Sequence, residues 1–148
     1  LLVDLRAGKG PKTSSELILA LADHMTDKIE SLVSDFAEGI DEQEEQIDND
    51  PSFEPDHDTL LQMRRRAAGL RRFLAPQREV YAQLTRNQQP WFVADDADYW
   101  NELNNRLTRY IEELDLTRER VGLVLEAEDR RLDVKMNRIM YRLSLIHI

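Results

Sequence analysis

Trp100-Asn101-Glu102-Leu103-Asn104-Asn105-Arg106-Leu107-Thr108-Arg109-Tyr110-Ile111-Glu112-Glu113-Leu114 is the stretch whose reading decides the fold. Trp100, Leu103, Leu107, Tyr110 and Leu114 recur in steps of three and four, and the row continues through Thr117, Val121 and Val124. That spacing draws one apolar stripe along a helix and suits packing against a neighbour at a shallow angle. Asp95 or Asp96 is placed to cap the start of this helix. Past Val124 the stripe loosens: Glu128 takes the next position, and Leu132, Met136, Ile139, Met140 and Leu143 follow less regularly. A helix from 95 to 145 would be roughly 75 Å long at about 1.5 Å per residue. Its end turns apolar, with Asp133 the last acidic residue and Arg142 the last basic one.

Working outward, Asn87-Gln88-Gln89-Pro90-Trp91-Phe92 reads as a turn, and a second helix precedes it. Its seam is Leu60, Met63, Ala67, Leu70, Leu74, Gln77, Tyr81 and Leu84. Pro76 lies inside and removes one backbone donor, so a kink, or a junction of two helices, is expected there. Asn49-Asp50-Pro51-Ser52-Phe53-Glu54-Pro55 is a loop, with Asp56 or Asp58 as the next cap. Before it, Thr13 and Glu16 form a capping-box pair after the breaker cluster Gly8-Lys9-Gly10-Pro11. The first helix carries Leu17, Leu21, Met25, Ile29, Leu32, Phe36, Ile40 and Ile47 as its expected seam and ends near Asp48. The second helix is about two-thirds the length of the third, so the third must project past its partners or bend back. Short loops between long helices imply an all-α fold of three antiparallel helices with heptad-like packing, up-down-up, the third a long stalk.

Charge narrows the function. The net formal charge of -9 opposes general binding to a phosphate backbone. Residues 1–63 hold 16 acidic and 4 basic side chains, whereas residues 64–148 hold 13 acidic and 16 basic ones. The arginines Arg64, Arg65, Arg66, Arg71 and Arg72 are therefore expected to pair with the acidic first helix, ahead of nucleic acid. There is no cysteine, so no disulfide or thiolate zinc site can form. His24, His57 and His147 lie too far apart for a local zinc motif. Leu1-Leu2-Val3-Asp4 does not open a signal peptide, and no run nears the ~18–20 apolar residues of a membrane span. No Gly-rich phosphate loop or Ser/His/Asp set is present, and the reading is of a protein that is not an enzyme and carries no cofactor.

Several segments taken in order resemble a known family. They are Leu70-Arg71-Arg72-Phe73-Leu74-Ala75-Pro76-Gln77-Arg78-Glu79, Pro90-Trp91, Arg109-Tyr110-Ile111-Glu112-Glu113-Leu114-Asp115 with Arg118-Glu119-Arg120, and Met136-Asn137-Arg138-Ile139-Met140-Tyr141-Arg142-Leu143-Ser144. The chain is similar, from about residue 12 to 144, to the CorA superfamily of divalent-cation transporters, in its ZntB-like zinc branch. The resemblance implies the cytoplasmic part of a homopentamer of the bacterial inner membrane, transporting zinc or magnesium as substrate. It also implies that the family's α/β domain, transmembrane helices and Gly-Met-Asn loop are missing here. On that basis residues 1–12 are a truncated linker, 13–89 two cytoplasmic helices, and 90–144 a stalk leading to the missing first transmembrane helix. Residues 145–148 are a candidate non-native end, because Leu-Ser-Leu-Ile-His-Ile also looks like translated sequencing adapter. The family's pore pattern falls on Asn137, Met140 and Leu143. Glu126, Glu128 and Asp129 lie on the stalk with no assigned metal role. The competing expectation is a soluble coiled-coil scaffold or adaptor, which the same periodicity supports.

Overall fold

A computed structural model describes residues 1–87 and 89–147. Gln88, in the expected second turn, and Ile148, the last residue of the expected 145–148 end, lie outside the described residues. The elements are a short helix α1 (Leu2–Arg6), then α2 (Ser14–Asn49), α3 (His57–Arg86), a 3-10 turn (Ala94–Asp96) and α4 (Ala97–Ile146). The all-α expectation holds, and the three long helices fall where the periodicity put them. Within the expected linker, α1 is an addition. It stops at Ala7, and Gly8 turns the chain away with a φ of 71°, a backbone region that glycine enters without a Cβ clash.

Local chemistry sets the helix starts. Thr13 Oγ1 accepts the Glu16 amide at 3.2 Å, and the Glu16 carboxylate accepts the Lys12 amide at 2.7 Å. The capping box therefore forms with its return bond one residue further out. Asp56 caps α3, accepting the Asp58 amide at 3.1 Å and the Thr59 hydroxyl at 2.6 Å. At α4 the side chain of Asp96 makes no capping bond. The 3-10 turn already runs into the helix there, and the Asp96 carboxylate instead accepts Ser15 Oγ at 2.6 Å, tying the start of α2 to the start of α4. Helix α3 is continuous through Pro76, and no junction of two helices occurs. Pro76 is exposed, so water can satisfy the carbonyl one turn earlier.

Helix α4 is the centre of the packing. Helix α3 lies along it, α2 rests against it, and α2 and α3 scarcely touch each other. The α3 seam is as read: Leu60, Ala67, Leu74 and Tyr81 are buried at seven-residue intervals, with Met63, Leu70, Gln77 and Leu84 half-buried three residues after each. From α4 come Trp100, Leu103, Leu107, Tyr110, Ile111, Leu114, Thr117, Val121 and Leu125. The stripe thus steps to Leu125 where Val124 was expected, leaving Val124 half-buried. Tyr81 and Trp100 meet edge to face with ring centroids 5.3 Å apart, closing one end of the core.

The first helix is rotated from its expected seam. Ser15, Ala22, Thr26, Ile29, Val33 and Ile40 face inward, while Leu17, Leu21, Met25 and Leu32 remain 38–49% exposed. Two interactions account for the rotation. Small residues at 15, 22 and 26 allow close approach to α4, and Thr26 returns its hydroxyl proton to the Ala22 carbonyl at 2.7 Å, so burying it leaves no orphan donor. Two arginines of α4 also grip the acidic side of α2. Arg106 reaches Asp23, Asp27 and Glu30 at 3.2, 2.6 and 3.2 Å, and Arg120 binds Glu44 at 2.5 Å together with Asp41. The acidic helix therefore pairs with α4, whereas the arginine-rich α3 was expected to be its partner. Of that arginine group only Arg71 makes an ion pair among the described residues, with Asp115 of α4 at 2.6 Å.

Candidate ion-pathway segment

The apolar row that welds α4 to α3 and α2 ends at Leu125. Glu128 and Arg131 are the last half-buried positions, and every described residue from Leu132 onward is exposed. The long helix thus projects beyond its partners by about four turns, as its length required. Partnerless helix of this length is a place to look for function, because no element among the described residues covers its exposed apolar side chains.

Asn137, Met140 and Leu143 all lie in this projecting part. At 3.6 residues per turn, each is displaced from the last by about 60°, so they form a slowly drifting row on one side. Met140 is 63% exposed and Leu143 54%. No other element reaches them, so they can act only through something outside the described residues. Toward the core, the exposed carboxylates of Glu126, Asp129 and Asp133 fall within about 80° of one another on the same side as Asn137 and Met140. None of the three carboxylates pairs with a described residue, although Arg130 stands beside the row. Glu128 is turned away. Its carboxylate is largely buried and binds Arg131 at 2.5 Å, so it is occupied as an ion-pair partner.

Arg131 and Lys135 also approach Glu54, from the loop before α3, at 3.5 and 3.8 Å. Ion pairing with Glu128 holds the Arg131 guanidinium above its ordinary pKa, so it stays charged throughout the accessible range. Among the described residues no group of three or more His, Cys, Asp or Glu side chains is arranged to hold a metal ion. No described helix is long and apolar enough to cross a membrane. The family resemblance singled out Asn137, Met140 and Leu143, whereas the clamps at Arg106 and Arg120 were not anticipated from the sequence. Their signal was a set of acidic residues on α2 at helical spacing and two arginines, Arg106 and Arg120, each adjoining a buried stripe residue of α4 (Leu107 and Val121).

Comparison with known proteins bears on the same helices. The family model described as CorA-like Mg2+ transporter protein matches residues 2–148. A "Divalent cation transporter CmaX" of Pseudomonas aeruginosa is 56% identical over 146 residues, covering 99% of this chain and 44% of that protein. A "Zinc transport protein ZntB" of Yersinia pestis is 30% identical over 143 residues, covering 97% of this chain and 43% of its own length. The solved structure of the full-length CmaX protein superposes with a TM-score of 0.93 at 55% identity, covering 99% of this chain and 45% of that one. The chain spans less than half the length of these relatives. With matched residues running through all three long helices, it belongs to the CorA-like Mg2+ transporter family.

Proposed function

We propose that the chain is the helical cytoplasmic part of a divalent-cation transporter, with α4 the stalk that leads toward the membrane. Residues 1–12 are the linker from a preceding domain, 13–89 the companion helices and 90–144 the stalk. The observation that carries the reading is the projecting end of α4 in a chain 56% identical to a named divalent-cation transporter. In the assembled protein, a homopentamer of the bacterial inner membrane, Asn137, Met140 and Leu143 face the ion path. The Asn137 carbonyl accepts from waters of a hydrated cation, and Met140 and Leu143 form an apolar constriction. The carboxylates of Glu126, Asp129 and Asp133 raise the local cation concentration on the approach. Zinc is the preferred substrate, in line with relatives named as zinc transport proteins, and magnesium is the second candidate.

A chimera tests this. Residues 1–144 replace the matching part of the Pseudomonas aeruginosa relative, and the purified chimera is placed in liposomes that contain a zinc- or magnesium-sensitive dye. Zinc entry is expected. Asn137→Ala should lower it about tenfold, the worth of one hydrogen bond to a charged species. No flux in the chimera, beside normal flux in the parent relative, would remove the transport reading in favour of a coiled-coil adaptor.

A further inference from the structure

The projecting end of α4 has a second side with its own chemistry. From Val134 to His147 the charged residues are Lys135, Arg138 and Arg142, with no acidic residue, in a chain whose net charge is -9. At 3.6 residues per turn these three share one ridge, in line with Arg131 below and roughly opposite the Asn137–Met140 row. Along this ridge the ion pairing changes abruptly. Arg131 and Lys135 are within reach of Glu54, whereas no described carboxylate lies within 4.0 Å of Arg138 or Arg142. Tyr141, 66% exposed, flanks the two free arginines, and Leu143 follows one residue beyond Arg142. Paired cations thus give way, within two turns, to free cations beside a tyrosine and then to apolar residues.

That order matches the polar boundary of a bilayer. Arginine guanidinium binds phosphate through two parallel N–H donors, tyrosine settles at the headgroup level, and apolar side chains continue inward. A protein groove would need a fixed set of carboxylates facing both arginines. An anionic leaflet supplies phosphate wherever the arginines sit, and its negative potential attracts basic residues within a Debye length. We propose that Arg138 and Arg142, with Tyr141 beside them, form a docking surface for the anionic phosphate headgroups of a lipid bilayer. The proposal rests on the reading that α4 leads toward a membrane. It adds where along the helix the boundary lies and which side of the helix meets lipid.

The test uses the 148-residue chain and sedimentable vesicles, either of phosphatidylcholine alone or with about one-third phosphatidylglycerol. Binding is expected only to the anionic vesicles, and it should weaken as salt is raised. Changing Arg138→Gln and Arg142→Gln together should weaken binding about 10- to 30-fold, the cost of two basic residues at a charged surface. The conservative pair Arg138→Lys and Arg142→Lys should keep most of the binding. Arg64→Gln with Arg65→Gln, an equal loss of charge on exposed α3, should leave it within about twofold.

Absence of binding, equal binding to both vesicles, or equal loss in the α3 control would each overturn the assignment. If the glutamine pair abolishes self-association in sedimentation and leaves vesicle binding intact, the ridge is a contact between copies and the lipid assignment falls. The two readings fail separately. Cation flux through the chimera without vesicle binding by the chain removes only the lipid inference, and vesicle binding without flux removes only transport.

Discussion

Helix α4 is one continuous element with two unlike halves. Between Trp100 and Leu125 it buries a side chain every three or four residues, on α3 and on α2. Between Leu132 and His147 it buries none. Both halves are helical, and the projecting one is the richer in apolar residues, so neither secondary structure nor apolar content explains why only the first is buried. What separates them is the source of stability. The packed half is held by tertiary burial, while the projecting half relies on its continuity with the packed half, since an isolated helix of ~15 residues is marginal in water.

The sharpest way to break this comparison is a matched pair of truncations. Leu107 is fully buried between the helices, and Leu107→Ala should cost about 3 kcal/mol through lost burial and the cavity left behind. Met140→Ala, in the projecting half, should change stability by less than about 0.5 kcal/mol. Chemical denaturation of both variants reads the difference directly. A large cost at Met140 would mean that the projecting half is packed in solution, against a second copy or a folded-back segment.

The two halves also differ in how far the sequence announced them. The 3,4 rows on α3 and α4 face each other, and each was readable because a long helix packed on one partner needs a single stripe. Helix α2 misled for a physical reason. Its apolar residues cover more than half its circumference, so periodicity allowed several faces, and the larger side chains at 17, 21, 25 and 32 drew the expected seam toward themselves. The choice fell instead to small residues and to arginines on a different helix, a pairing encoded between sequences about 80 residues apart. The end of α4 shows the converse. Asn137, Met140 and Leu143 came from family resemblance, and the helix geometry alone assigns them a shared side without a partner.

A smaller effect tests the clamps that set the rotation of α2. Arg106 is mostly buried, yet its three carboxylate partners are more than half exposed, so water screens the pairs. Arg106→Gln should cost about 1 kcal/mol, and the difference from the parent should shrink in high salt. The pairing raises the Arg106 pKa, which places its contribution below that value and loses it only as pH rises through it, beyond the accessible range. Alkali up to the lysine range should therefore leave this contribution intact. Arg138→Gln, on the projecting half, should leave thermal stability unchanged while altering vesicle binding. A matching loss of stability at Arg138 would place that arginine in the folded core and erase the division of α4.

The smallest expected effect lies at the cap of α3, where sign and pH window matter more than size. The Thr59 hydroxyl, with the Asp58 amide, stabilises the ionised carboxylate of Asp56 and holds its pKa below that of an ordinary aspartate. A carboxylate with a depressed folded pKa contributes stability that is present above its unfolded pKa and is lost as pH falls through the folded one. Asp56→Ala should accordingly lower the melting temperature at neutral pH, and the gap from the parent should narrow as pH drops below about 4. The cap stands beside Glu54, the carboxylate that reaches Arg131 and Lys135 where the packed half of α4 gives way to the projecting half. If loss of the cap loosens that loop, amide exchange should speed up around Arg131 and Lys135 and stay slow near Leu107. Equal acceleration at both places would mean that Glu54 is no local tether, and that the boundary between the halves is set by burial alone.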